Sequence, residues 1–296
     1  MKTFIKSTIL FAVPFLMLLA LNIIVDPFNY SDFNIIKLKK QEVSMPLDYR
    51  LYKLIEFKNN PQKSLLLGDS RAAAFNTSLI YGNESNGYYN FGYGGGSLQE
   101  VFETIDFAED QIEIENLYLC IPFNLFDASN SKERISKGVK TLKSPMSYYL
   151  NFNITKASIY VLVYNIFDEN LASENPNISK KQFWTKQLEL ADKAYQAYNY
   201  PLTYRKQLLD LKEDCEKEGI KLSIIIPPTH VDLQNLVVVN GLDENYKAYK
   251  LFLNSIGPIY DFDIMSNITI DSANFKDPYH FNDSIMNILV DEIWYQ

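Results

Sequence analysis

Two short segments far apart in the chain carry residue types that together could do nucleophilic chemistry. Gly68-Asp69-Ser70-Arg71 offers a hydroxyl in a tight turn, and Asp277-Pro278-Tyr279-His280 offers a carboxylate and an imidazole three residues apart. Side by side, Asp277 would hold one ring nitrogen of His280 while the other faces Ser70, giving nucleophile, general base and orienting acid. Each piece also has a plainer explanation. Asp69 or Ser70 could simply cap a helix, and His280 could sit exposed in a surface turn. The chain has only 2 histidines, and one lying beside an acid at the start of a closing helix makes the catalytic reading the stronger one.

Such residues need a frame that brings positions 70 and 280 together. Apolar runs predict strands at Ser64 to Gly68, Tyr88 to Phe91, Leu117 to Ile121, Lys221 to Ile226 and Ile256 to Phe262. Helical spacing follows the first from Ala72 to Ile80, the second from Leu98 to Ala108, and closes the chain through Ile285, Met286, Leu289, Val290 and Ile293. Strands alternating with helices predict an α/β domain with a mainly parallel sheet. Ligands in such a sheet bind beyond the carboxyl ends of the strands, and Ser70 follows the first predicted strand at the start of a helix. Between the third and fourth strands lies an insertion at about 127–219, longer than a crossover needs. Lys181 to Lys217 within it reads as a long helical segment interrupted near Pro201.

Other polar residues fall at the same predicted edge. His230, in Pro227-Pro228-Thr229-His230, is a candidate substrate contact or a rival base, and a loop histidine without a role explains it equally well. Arg71 could bind an anionic acceptor or pair with a nearby carboxylate. No His/Cys/carboxylate set has metal-ligand spacing, and Gly92 to Gly96 lack the Gly-x-Gly-x-x-Gly pattern, so neither metal nor cofactor is expected. Cys120 and Cys215 are the only cysteines, too few for a disulfide framework or a four-ligand zinc site.

The chain resembles the SGNH (GDSL-type) esterases and acyltransferases. Gly68-Asp69-Ser70 matches the family's first block, and Asp277 to His280 its closing Asp-x-x-His. The glycine of the second block is met within Asn90-Phe91-Gly92-Tyr93-Gly94-Gly95, with Gly95 best spaced. The third block keeps Asn124 in Pro122-Phe123-Asn124-Leu125 but lacks the usual Gly and Asp. The resemblance implies a flavodoxin-like sandwich and an acyl-enzyme mechanism with Ser70 as nucleophile, His280 as base and Asp277 as orienting acid. It also implies an oxyanion hole from the backbone of Ser70 and Gly95 and the amide of Asn124. The α/β-hydrolase elbow Gly-x-Ser-x-Gly is not met, because Ala72 stands in its last position.

The N-terminus predicts a location. An apolar run from Thr8 to Val25 follows Lys2 and Lys6. At about 18 residues it reads as an uncleaved transmembrane helix, with a cytoplasmic N-terminus and the domain at 33–296 outside. Residues 1–32 would then be anchor and juxtamembrane segment. With 28 basic and 36 acidic side chains, a net charge of −8 and no like-charge block, nucleic-acid binding is not expected. Together these features suggest an envelope-facing O-acyltransferase or esterase working on acyl groups, acetyl first, of a cell-surface glycan. By resemblance, an integral membrane O-acyltransferase is a candidate partner. The alternative is a non-catalytic factor that docks such an acyltransferase, motivated by the altered third block. A weaker third reading is a glycan-binding module with a Tyr-rich insertion.

Overall fold

The computed structural model describes residues 1–31, 35–80, 87–168 and 178–295. It divides into two compact units, Met1–Asn60 with Arg134–Pro176, and Pro61–Glu133 with Asn177–Gln296. The insertion is therefore shared: its middle part, Arg134–Pro176, clusters with the N-terminal residues and its two ends with the sheet. The expected boundary at 32/33 lies outside the described residues.

The second unit is built on five strands, β1 (Ser64–Gly68), β2 (Tyr88–Gly92), β3 (Asn116–Cys120), β4 (Lys221–Ile226) and β5 (Ile259–Asp261). All pairs are parallel, in the order β2-β1-β3-β4-β5, which is the flavodoxin-like order. The register sets Leu65 beside Leu117 and Leu67 beside Leu119, and β1 is buried at every position, as a strand covered on both faces must be. After β1 the chain winds one way to β2 and the other way to β3, so the carboxyl ends of β1 and β3 flank the topological switch point, the place where sheets of this kind bind ligands.

Two glycines make the switch point tight. A Cβ on Gly68 would lie 2.5 Å from the Cys120 carbonyl oxygen, and one on Gly92 only 2.1 Å from the Ala73 nitrogen. No side chain fits at either place. At the far end of the chain, helix Asp283–Trp294 buries Ile285, Met286, Leu289, Val290 and Ile293, and Asn282 caps it by accepting from the Ile285 N–H. At roughly 1.5–3 kcal/mol each, these side chains contribute on the order of 10 kcal/mol of gross burial. That anchors the residues immediately before the helix, His280 among them.

The other elements of this unit follow the sequence in outline, with two corrections. The helix expected over Ala72 to Ile80 is a single turn, Ser70–Ala73, followed by a 3-10 turn at Thr77–Leu79. Asn76 ends it because its side chain accepts the Ser78 N–H, a local bond that competes with the helical ladder. The last strand begins at Ile259, since Ile256 is the buried end of helix Asp243–Ile256. The long insertion segment is two helices, Lys180–Gln196 and Leu202–Glu218, on either side of Pro201.

The first unit overturns the membrane expectation. Its first helix forms over Lys2–Val25, but among the described residues no helix is long and apolar enough to cross a membrane. The transmembrane segment, and with it the single-pass topology with an extracytoplasmic domain, is therefore withdrawn. The reason lies at the helix's C-terminal end, which belongs to the unit's own interior. Asn22 is 1% exposed; its amide donates to the Tyr149 carbonyl and to Thr155 Oγ1, each at 2.8 Å, and accepts from Ser158 Oγ at 2.9 Å. Val25 packs with Val43 and Val161. From Thr8 to the residue before Asn22 the helix spans roughly 21 Å, short of the ~30 Å hydrocarbon core.

Candidate active site

β1 leads into Ser70, the candidate nucleophile. Asp69 caps the single turn behind it by accepting the Arg71 N–H at 2.9 Å, so the plain helix-cap role exists and belongs to Asp69. Ser70 occupies the first position of that turn, where its own N–H finds no acceptor among the described residues. One turn carries little macrodipole; the position matters here for its free N–H rather than for a helix field.

The segment after β5 carries His280 and Asp277, the candidate base and acid. Phe275 and Phe281 are both buried and bridge each other in antiparallel fashion, and the Lys276 N–H donates to the His280 carbonyl at 2.7 Å. This closes a narrow loop with Asp277 to His280 inside it. Asp277 Oδ1 accepts the Tyr279 N–H at 2.8 Å and the His280 N–H at 3.2 Å. Its Oδ2 lies 2.7 Å from His280 Nδ1, and His280 Nε2 lies 2.7 Å from Ser70 Oγ. Residues 210 positions apart are thus in direct contact.

The protonation pattern follows from the partners. Burial pushes the Asp277 carboxyl up, but the hydrogen bond and charge of His280, with the N–H groups of Tyr279 and His280, outweigh it and hold the group below its ordinary value. An ionised carboxylate only accepts, so the His280 proton sits on Nδ1 and the lone pair of Nε2 faces the serine hydroxyl. The His280 side chain is 30% exposed, leaving an approach from solvent.

The proposed oxyanion donors are placed unequally. Asn124 stands four residues beyond the end of β3, across the switch point, and its Oδ1 accepts from Arg71 Nη2 at 2.5 Å. Gly95 adopts φ 57° in the turn after β2. That turn is tied to β1 by the Tyr93 N–H donating to the Gly68 carbonyl, and a Cβ on Gly96 would come within 3.5 Å of the Asp69 Cα. Gly95 therefore lies on the turn that borders Asp69.

Arg71 and His230, the two candidate substrate contacts, both turn inward. Arg71 is 1% exposed. Asp69 grips it through Oδ1 to Nε at 3.2 Å and Oδ2 to Nη2 at 2.5 Å, and the Tyr279 ring lies 5.5 Å from its Cζ. Burial works against this guanidinium, but the Asp69 charge and hydrogen bond outweigh it and raise its pKa above the ordinary value. Burial likewise pushes the Tyr279 phenol up to about 12, with Arg71 opposing and Asp277 and Asp69 adding to the rise. His230 caps helix Val231–Val239, with Nδ1 accepting the Asp232 N–H at 3.1 Å. Its ring packs edge-on to Trp184 and Phe275, and its backbone N–H donates to the Pro278 carbonyl at 3.0 Å. It supports the Asp277–His280 loop from behind.

The pairing of Arg71 with a nearby carboxylate, one of the two alternatives open in the sequence, is made with Asp69; the further link from Arg71 to Asn124 was not read from the sequence. The only sequence signal for the pairing is the two opposite charges flanking Ser70. Cys120 and Cys215 are both buried free thiols. Among the described residues no cluster of His, Cys, Asp or Glu could hold a metal ion.

No family model and no curated protein matches this chain. A solved chain from Streptococcus pneumonia, described as a "putative platelet activating factor", is 9% identical over 83% of this chain and 90% of its own, with a TM-score of 0.39. At that score the likeness carries no argument about fold or function, so the functional reading rests on the site.

Proposed function

We propose that the chain is a serine acyl-transfer enzyme of the SGNH type, an esterase or O-acyltransferase working through a covalent Ser70 intermediate. The observation that carries this is the unbroken relay from Asp277 through His280 to Ser70, with 2.7 Å at both joints. His280 Nε2 takes the hydroxyl proton as Ser70 Oγ bonds to the ester carbonyl carbon. The tetrahedral intermediate collapses, the ester C–O bond breaks, and His280 returns the proton to the departing alkoxide. A water or an acceptor hydroxyl then loses its proton to His280 and attacks the acyl carbon, the bond from that carbon to Ser70 Oγ breaks, and His280 returns the proton to Ser70 Oγ. Asp277 holds the tautomer and stabilises the transient imidazolium. The Ser70 N–H, the Gly95 turn and the Asn124 amide are the candidate donors to the oxyanion, each worth roughly 10²–10³ in rate.

A glycan acceptor at the cell envelope and a membrane acyltransferase as partner both leaned on the membrane helix, and neither is carried forward. The docking role rested on the altered third block. Asn124, which that block retains, has a charged partner at the switch point, and this favours the catalytic reading.

The test uses the full chain with a fluorophosphonate probe and with p-nitrophenyl acetate. Covalent labelling that maps to Ser70, together with turnover lost in Ser70→Ala, is the expected result. Adding an alcohol acceptor and comparing released acetate with acetylated alcohol separates transfer from hydrolysis. A wild type that neither labels at Ser70 nor turns over several acyl esters faster than Ser70→Ala would sink the reading.

A further inference from the structure

We propose that Arg71, held by Asp69, sets the orientation of the Asn124 amide and thereby decides which end of it meets the reacting carbonyl. The proposal rests on the acyl-transfer reading above. It assigns Arg71 a positioning role that acts through Asn124.

An asparagine side chain has two ends of nearly equal shape and opposite polarity. Near a carbonyl that is gaining negative charge, the N–H end stabilises and the oxygen end repels. Nothing in Asn124 itself chooses between them. A guanidinium removes the choice because it only donates: whatever faces Arg71 Nη2 must be the acceptor, so Oδ1 faces Arg71 at 2.5 Å. The Nδ2 group, on the opposite side of the amide, makes no hydrogen bond among the described residues. A cation on the amide oxygen also draws electron density from nitrogen and strengthens its N–H groups as donors.

Direct substrate binding does not describe Arg71 well. Its side chain is 1% exposed, and Nη1 is buried without a hydrogen-bond partner. The guanidinium therefore reaches the site only through what it touches. A buried charge is costly unless paired, and Asp69 offsets that cost with two contacts to the guanidinium while its Oδ1 also caps the Ser70 turn. One carboxylate thus fixes the backbone that presents the nucleophile and the cation that orients the amide.

The experiment is a double-mutant cycle on the full chain, measuring acyl-ester hydrolysis with Ser70→Ala as background. Arg71→Met and Asn124→Ala are each expected to lower kcat about 10²-fold with KM little changed, and the double variant to be no slower than Asn124→Ala. Asn124→Asp keeps an acceptor for Arg71 but has no N–H. It should melt no lower than Asn124→Ala and be equally slow, and this arm decides the matter if Arg71→Met does not fold. Losses that multiply in the double variant, a wild-type kcat in Arg71→Met, or a wild-type rate in Asn124→Asp would each overturn the proposal. A wild type with no Ser70-dependent turnover would bring down the acyl-transfer reading itself, a result distinct from an active enzyme indifferent to Arg71.

Discussion

His280 and His230 each stand near an aspartate close to the start of a helix, and each follows a strand of the same parallel sheet. Their ring nitrogens are used in opposite ways. His280 gives its Nδ1 proton to Asp277 and turns the lone pair of Nε2 to Ser70, with its side chain 30% exposed. His230 spends its lone pair at Nδ1 on the Asp232 N–H, so in the neutral ring the proton lies on Nε2. Its side chain is 7% exposed, against Trp184 and Phe275. A neighbouring carboxylate does not by itself make a histidine a base. The distinction lies in which nitrogen keeps a free pair and whether that nitrogen ends at a nucleophile solvent can reach.

The largest test of this contrast replaces each histidine in turn. His280→Ala is expected to lower kcat for ester hydrolysis by about 10⁴-fold or more, since removing one member of such a relay disables the whole. His230→Asn, which keeps a cap acceptor, should stay within about 10-fold. Steady-state kinetics with p-nitrophenyl acetate reads both, and a reversed order would exchange their roles. Asp277→Asn comes next: an amide can donate to Nδ1 and stabilise the wrong tautomer, at a cost of up to about 10⁴ in kcat. Fluorophosphonate labelling of Ser70 should slow in parallel, and unchanged labelling would detach Asp277 from the relay.

A smaller effect separates support from chemistry. His230→Ala removes a helix cap worth about 1 kcal/mol and two aromatic edge contacts of roughly 0.5–1.5 kcal/mol each. A loss of about 2–4 kcal/mol in unfolding free energy by urea titration is expected, with residual activity following the folded fraction. Full stability with lost activity would mean that His230 takes part in the reaction after all.

The contrast was only half legible in the sequence. The strands could be read because apolar runs such as Ser64 to Gly68 and Lys221 to Ile226 end sharply at glycine or proline, and β1 and β4 fall where those runs fall. Ser70 could be singled out because it closely follows the first strand, and Asp277 and His280 because an acid and an imidazole stand three residues apart just before the closing helix. The tautomer of His230 could not, because it depends on a backbone N–H two residues on. Nor could the tie between Arg71 and Asn124, which spans 53 positions and follows from β1 and β3 being neighbours. The apolar run at Thr8 to Val25 misled because apolarity states that a surface must be covered but not by what. Asn22, a polar residue within that run, is the one that joins the helix to the interior of its own unit.

The subtlest test concerns pH and returns to Asp277. Its carboxyl is held below the ordinary value in the fold, while in the unfolded chain it titrates near the ordinary aspartate value of about 3.9. Between those two values the unfolded state binds more protons, so stability falls as pH falls. The contribution is fully present above the unfolded value and is lost as pH drops through the folded one. The difference in unfolding free energy between wild type and Asp277→Asn should therefore shrink as pH falls below about 4. A gap that stays constant to lower pH would mean that Asp277 is not held as the carboxylate its bond to His280 requires. The tautomer contrast with His230 would then lose its first half.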